Sequence, residues 1–183
     1  IWEGQEGSFL LWTIWHSILG IVIIAKSKEW EAPVMTVISF AQLFLGLMIL
    51  GLYFFDIRIG SSPFTLTRNE IEGPIFSQAN YLSFIKDGVG LNVLLRNYWM
   101  VIHPPVLFLG FASTIIPFAY AYAGIQTKRY GDWVKPVLPW ALFTACVLGI
   151  GIMMGGKWAY ESLSFGGYWA WDPVENASLV PWL

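Results

Sequence analysis

Charge and cysteine are both scarce in this sequence. Only 12% of the 183 residues are charged and 56% are hydrophobic, whereas an ordinary soluble domain carries about 25% charge. The single cysteine, Cys146, lies in an apolar run, so the sequence has neither an internal disulfide nor the paired thiols to which a c-type haem is attached. The net charge of -2 gives no indication of a nucleic-acid surface or an acidic tail. The composition therefore places the chain in a bilayer.

The two ends of the sequence indicate a longer protein. The chain opens at Ile1 with neither a methionine nor a signal-peptide pattern. Near the other end, Asp172, Pro173 and Glu175 have the N-cap, first-position and third-position spacing of a helix start. A helix from Pro173 to Leu183 would rise about 16 Å, roughly half of a hydrocarbon core. We therefore expect the chain to be a fragment that ends inside the start of a fifth span.

Long uncharged runs predict how the chain crosses the membrane. Lipid offers no partners to backbone polar groups, and these runs lack the alternation of a barrel strand, so each is interpreted as a helix. The sequence predicts an all-α, polytopic membrane helix bundle, with residues 1–183 forming one membrane domain. Buried helices of a large soluble protein are the alternative. The four predicted spans are residues 8–25, 33–55, 106–125 and 136–156.

Basic residues predict the orientation of these spans. Lysine and arginine are concentrated in two short connections, residues 26–32 and 126–135. Two spans separate these connections, so they share a side, and their charge is typical of the cytoplasmic or equivalent inner face. The long loop 56–103 and the aromatic segment, defined here as residues 157–172, then lie on the outer face with residues 173–183 re-entering the membrane.

His103 is the first candidate functional residue. It precedes Pro104 and Pro105, and a residue before proline disfavours helical geometry, whereas proline suits a helix's first turn. We therefore expect His103 just outside the start of the third span, at the outer edge of the bilayer. A largely neutral imidazole is suited to ligate a metal. The alternative is an interfacial side chain that hydrogen-bonds a carbonyl or a lipid headgroup.

The aromatic segment is the second candidate. Tryptophan and tyrosine collect at membrane interfaces in any case, but this segment is denser than such a belt requires, and Gly166 and Gly167 permit unusual backbone geometry. A flat apolar ligand with a central metal, such as haem, would stack on it while His103 supplied an axial ligand. A sugar-binding surface and a simple interfacial belt remain alternatives. Its aromatic residues are Trp158, Tyr160, Phe165, Tyr168, Trp169 and Trp171.

Three stretches carry a family resemblance. The run "FGGYWAWDPVENASLVPWL" resembles the tryptophan-rich WWD signature of haem-handling membrane proteins, specifically the CcmF and NrfE branch, the cytochrome c haem lyases. The runs "DGVGLNVLLRNYWMVIHPPVLFLGF" and "WEGQEGSFLLW" resemble that branch's outer loop with its helix start and the opening of an earlier span. The likeness covers nearly the whole chain except the loop from Arg68 to Asn80.

This resemblance implies a function in cytochrome c maturation. Haem would arrive on a periplasmic chaperone, rest against the WWD segment, and be joined through its vinyl groups to two thiols of apocytochrome c. The protein would act with other maturation subunits in a bacterial or mitochondrial inner membrane, with the WWD segment on the periplasmic or intermembrane-space side. By position, His103 would bind the haem iron. The implied haem-binding residues are Trp158, Phe165, Gly166, Gly167, Tyr168, Trp169, Trp171 and Asp172.

Several features leave alternatives open. Tryptophan is usual in the family where this chain has Phe165, and proline where it has Val93. The resemblance places the second outer histidine, and the histidines of a separate haem b in the membrane, after Leu183, so we expect the fragment alone to be inactive. His16 lies within the first span and is expected to make a helix-packing hydrogen bond.

No catalytic residue is assigned from the sequence. A haem-delivery protein without lyase activity, a transporter and a structural subunit anchored by its aromatic loop are the alternative functions. A transporter would lead one to expect broken helices or several ionisable residues at the middle of the bilayer, and only His16 has that position.

Overall fold

The computed structural model of the chain is a bundle of long helices. The structure describes residues 4–66, 68, 73–84, 90, 92–93, 96–162 and 167–183. Within this part, four helices are long and apolar enough to cross a membrane, which confirms the predicted polytopic bundle. They are followed by a short fifth helix. The helices are α1 (Gln5–Lys26), α2 (Glu31–Met48), α3 (Tyr98–Gln126), α4 (Val134–Ser162) and α5 (Pro173–Trp182).

The second span ends earlier than the sequence predicted. We expected it to reach Phe55, but α2 ends at Met48 and a two-stranded antiparallel sheet follows, β1 (Leu52–Phe54) and β2 (Ile57–Ile59). The sheet folds back on the helix end, where the backbone N–H of Ser61 donates to the carbonyl of Met48 at 2.9 Å. The last carbonyls of a helix lack helical donors, so this contact stabilises the earlier end.

The core lies where α1, α2 and α3 meet. Its largest fully buried side chain, Tyr120, is 2% exposed, and its hydroxyl lies 2.6 Å from the hydroxyl of Ser27. This pair satisfies two polar groups that would otherwise be costly to bury. The apolar residues around it come from all three helices, with Trp30 from the connection between α1 and α2 and Val137 from α4; the others are Leu19, Ile23, Val34, Ile38, Ala112, Ile116, Ala119 and Ala123.

Helices α3 and α4 approach each other closely because glycines lie at their interface. A Cβ atom on Gly110 would lie 2.7 Å from the Cα of Leu148, and one on Gly151 would lie 2.9 Å from the Cα of Leu107. Small residues allow such close backbone contact between membrane helices. Gly110 and Gly151 therefore allow the two helices to pack closely, whereas Gly46 has no atom within 4 Å of such a Cβ and has no such role within the described structure.

The two basic connections lie at the same end of the bundle, as predicted. The guanidinium of Arg129, after α3, donates to Glu29, between α1 and α2, at 3.0 Å. At the other end, the side-chain amide of Asn97, before α3, donates to the hydroxyl of Ser162, the last residue of α4, at 2.5 Å. The beginning of α3 and the end of α4 are thereby held together.

Both helices at this second end are longer than predicted. The loop 56–103 was expected to include His103, but α3 begins at Tyr98, where the Asn97 side chain accepts from the Trp99 backbone N–H. The aromatic segment was expected to lie outside the helix from Lys157, but α4 continues to Ser162. A salt bridge of 2.9 Å between Lys157 and Glu161 stabilises this last stretch of α4.

Candidate functional site

A small cavity lies where the start of α3, the end of α4 and the start of α5 meet. Its volume is about 170 Å³, below the range of roughly 300 to 1,000 Å³ usual for small-molecule sites. It contains four of the residues that the sequence singled out, together with apolar and polar neighbours. The lining residues are His103, Leu107, Ile152, Gly155, Gly156, Trp158, Ala159, Trp169, Asp172, Val174, Glu175 and Ser178.

His103 lies inside α3, which corrects the prediction that it precedes the helix. The two prolines after it are accommodated within the helix, although each removes the donor for the carbonyl four residues earlier. The helix begins earlier because Asn97 caps it and Met100, 5% exposed, is buried against the bundle. These contacts override the local preference of a residue that precedes proline.

The imidazole of His103 is held by the neighbouring helix. Its Nδ1 lies 3.0 Å from the carbonyl oxygen of Gly151 on α4. A carbonyl can only accept, so Nδ1 carries the proton in this contact and Nε2 of the neutral ring keeps its lone pair. A histidine whose Nδ1–H donates to a backbone carbonyl presents Nε2 as the ligating atom.

Gly155 makes room for this ring. A Cβ atom at Gly155 would lie 2.8 Å from Cε1 and 3.3 Å from Nε2 of His103. Real Cβ atoms do not approach ring atoms so closely, and packed interiors leave little space for displacement. The imidazole therefore occupies its position because position 155 has no side chain.

Two tryptophans line the cavity beside His103. The ring of Trp158 lies 5.8 Å from the imidazole, with its plane tilted by 59°. The indole Nε1 atoms of Trp158 and Trp169 are both buried and make no hydrogen bond with any described residue. A buried donor without an acceptor costs about 1–3 kcal/mol, so these two indoles offer unused donors near the cavity.

The other predicted residues that the structure describes do not line the cavity. Tyr168 stacks on Tyr160 of α4, with ring centroids 4.4 Å apart and planes 3° apart. Trp171 is 69% exposed and meets Trp169 edge-on at 5.7 Å. Gly167 is described but is absent from the lining, and the predictions for Phe165 and Gly166 concern positions outside the described residues.

The turn before α5 has the start signal that the sequence predicted. The Asp172 carboxylate accepts from the Glu175 backbone N–H at 2.7 Å, and Pro173 is the first helical residue. The Glu175 carboxylate in turn accepts from the Ala170 N–H at 2.7 Å. Trp171 has φ of 57°, and its carbonyl accepts from the Asn176 side chain at 3.0 Å. The sequence from Asp172 to Asn176 thus fixes the turn that carries Trp169 and Trp171.

Several residues of the site were not recognised from the sequence. Gly151 and Gly155 were not among the predicted site residues, and Glu175 was interpreted only as part of a helix start. A periodic signal was nevertheless present, because Ile152, Gly155, Gly156 and Ala159 follow the i, i+3, i+4, i+7 spacing of one helix face. Combined with Leu107, one turn after His103, that face predicts the cavity wall.

His16 lies apart from this site, and its expected hydrogen bond is not well formed among the described residues. The side chain is 4% exposed, and neither ring nitrogen makes a hydrogen bond of normal geometry with a described residue. Its ring meets Trp12 edge-on at 6.3 Å. It lines a second cavity of about 600 Å³ together with Phe111, Phe118 and Pro181.

The sequence matches known proteins over its whole length. Residues 2–183 match the model of the family described as "Cytochrome C assembly protein". The chain is 36% identical to the cytochrome c-type biogenesis protein CcmF of Pseudomonas aeruginosa and 33% identical to CcmF of Haemophilus influenzae. It is also 33% identical to the probable cytochrome c-type biogenesis protein NrfE of Escherichia coli.

These matches include all of this chain but only part of each relative. The chain spans 25% of the P. aeruginosa protein, 26% of the H. influenzae protein and 30% of NrfE. No solved structure matches the chain significantly. The relatives are of the CcmF and NrfE type that the sequence resemblance indicated. Because the family model covers nearly every residue, the chain belongs to the cytochrome c assembly protein family.

Proposed function

We propose that this chain forms part of a cytochrome c maturation protein and holds haem, as a substrate, at the cavity beside His103. The observation that carries the proposal is the contact of His103 Nδ1 with the Gly151 carbonyl, which leaves Nε2 as the ligating atom. The curated relatives are named as cytochrome c-type biogenesis proteins, and a protein of that process must handle haem.

The donor set supports haem better than a bare metal ion. Among the described residues, no group of three or more histidine, cysteine, aspartate or glutamate side chains could hold a metal ion. Haem needs only axial ligands from the protein, because the porphyrin supplies the equatorial nitrogens. One well-oriented imidazole beside two large indoles therefore fits an iron porphyrin.

The two unpaired indoles give the site further groups that are suited to bind haem. The buried Nε1–H groups of Trp158 and Trp169 are suited to donate to acceptors such as the haem carboxylates. A ring as large as a porphyrin exceeds the cavity of about 170 Å³, so it would extend past the lining onto the exposed side of the aromatic segment. Such partial enclosure suits a substrate that must arrive and leave.

The proposed chemistry joins haem to apocytochrome c. Each cysteine thiol of the apoprotein adds across one haem vinyl group, so that an S–C and a C–H bond form while the S–H bond and the C=C π bond are lost. No net electron transfer occurs in this addition. The role of the chain's own residues is to bind and orient haem, and we assign none of them to the proton transfer.

The partners and location follow from the same proposal. Apocytochrome c, a periplasmic haem chaperone and other maturation subunits would meet at the aromatic segment. The basic connections at the opposite end of the bundle are typical of the inner face, and this supports our proposal that His103 and the aromatic segment face the periplasmic or intermembrane-space side of an inner membrane. Any haem b held elsewhere in the protein would be separate from this substrate site.

The chain offers a matched pair of histidines to test this proposal. The sequence contains two, and His103→Ala in the intact protein is expected to remove one haem per protein, measured by pyridine haemochrome and reduced-minus-oxidised spectra. His16→Leu, the control, is expected to retain it. Full haem occupancy in His103→Ala would refute the site. Haem loss with undiminished cytochrome c maturation would instead refute the proposed role in attachment.

A further inference from the structure

A large cavity lies at the opposite end of the bundle, between the two basic connections. It has a volume of about 990 Å³ and is bounded by the end of α1, the residues that join it to α2, the end of α3 and the first turns of α4. We call it the basic-end cavity. It is separated from the His103 site by the length of the helices, so it is not part of the proposed haem site.

Positively charged side chains outnumber negatively charged ones in the lining of the basic-end cavity. Arg129 donates to both Glu29 and Asp132 at 3.0 Å, and its guanidinium lies 4.4 Å above the ring of Trp30. The hydrogen bonds that Arg129 donates, first to Glu29 and then to Asp132, hold the pKa of Arg129 above its usual value. Both carboxylates of the lining are therefore engaged by one cation.

Three lysines are left without such partners. Lys26, Lys28 and Lys135 all line the cavity, and none forms an ion pair within the part of the chain that the structure describes. Lys26 is the last residue of α1 and Lys135 is the second residue of α4. They therefore lie at the level where the spans end and lipid headgroups begin. This arrangement has a surplus of positive charge at headgroup depth.

The wall below the lysines is apolar. Pro136, Pro139, Trp140 and Phe143 line the cavity and follow the i, i+3, i+4, i+7 spacing of a single face of α4. These positions extend for about 10 Å along the helix axis toward the bilayer centre. Cations at the rim, and an apolar stripe that extends from them toward the bilayer centre, together match a molecule with an anionic head and a hydrocarbon tail.

We propose that the basic-end cavity binds an anionic phospholipid. Its phosphodiester lies among Lys26, Lys28 and Lys135, and an acyl chain lies along Trp140 and Phe143. Basic pockets between helices on the inner side of membrane proteins recognise such headgroups. A free phosphate or a soluble organic phosphate would use the lysines but not the apolar wall, so the two sources can be separated experimentally.

The test is native mass spectrometry of the intact protein, titrated with phosphatidylglycerol or with phosphatidylcholine of the same acyl chains. Phosphatidylglycerol is expected to bind more tightly. Each change of Lys26, Lys28 or Lys135 to glutamine is expected to weaken its binding about fivefold, from about 1 kcal/mol per cation near an anionic surface. Lys157→Gln, at the other end and paired with Glu161, is the matched control and is expected to bind normally.

Three results would overturn the proposal. Equal binding of the two lipids would exclude recognition of the anionic head. An equal loss in Lys157→Gln would place the lipid elsewhere. Displacement of phosphatidylglycerol by millimolar inorganic phosphate, with no effect of Phe143→Ala on lipid binding, would identify a free-anion site instead.

Discussion

The Nδ1 atom of His103 on α3 lies 3.0 Å from the carbonyl oxygen of Gly151 on α4. This contact joins two helices and fixes the ring's orientation at the same time. It also explains why glycines are needed on this face of α4, because Gly151 allows the helix backbones to approach and Gly155 leaves room for the imidazole. The packing of α3 against α4 and the position of the His103 imidazole therefore depend on the same face of α4.

Adding a methyl group at Gly155 should damage the site without unfolding the bundle. The new Cβ would lie 2.8 Å from Cε1 of His103, so we expect Gly155→Ala to displace the imidazole and lower haem occupancy. Gly46→Ala is the control, since no atom lies within 4 Å of its added Cβ. Haemochrome content per purified protein measures the difference. Equal occupancy in both variants would contradict the assigned position of the ring.

Trp169 and Trp171 should differ in their effects on haem retention. Trp169 lines the cavity and has a buried, unpaired indole N–H, whereas Trp171 is 69% exposed and lies outside the lining. We expect Trp169→Phe to reduce haem retention and cytochrome c maturation more than Trp171→Phe, with membrane insertion and protein abundance unchanged in both. Haem content and immunoblot abundance measure this, and parallel losses of abundance would indicate a structural role.

Removing the Tyr120 hydroxyl should destabilise the core. Tyr120→Phe leaves the hydroxyl of Ser27, 6% exposed, without its partner at 2.6 Å, and an unsatisfied buried group costs about 1–3 kcal/mol. The thermal unfolding temperature in detergent should fall. The double change Ser27→Ala with Tyr120→Phe removes both groups and should recover part of the loss. No recovery would mean that the two hydroxyls are not coupled.

Replacing His16 with leucine should preserve or raise stability. The imidazole is 4% exposed and makes no hydrogen bond of normal geometry with a described residue, and an unpaired buried polar group is costly. Leucine fills a similar volume without that cost. Thermal unfolding in detergent measures the change. A marked loss of stability would indicate that a part of the protein beyond the described residues, or a ligand, pairs with His16.

Much of the helical framework could be predicted from local sequence. The first span was expected over residues 8–25 and is helical over Gln5–Lys26, since a long uncharged run in lipid has no other way to satisfy its backbone. The start of α5 at Pro173 was also predictable, because Asp172 and Glu175 act through contacts within five residues. The loop around β1 and β2 was not, because its fold depends on a return to the end of α2.

Sequence alone determined the number of spans, the side shared by the basic connections and the residue types of the candidate site, because these depend on apolar run length, local charge and short-range capping. Only the tertiary structure decided that His103 lies within α3, that α4 continues to Ser162, and that Trp169 rather than Trp171 lines the cavity. Those outcomes depend on contacts between helices distant in sequence, such as His103 with Gly151 and Trp99 with Glu161. The free energy of such contacts exceeds the local backbone preference of a residue before proline, and no short stretch of sequence contains both partners.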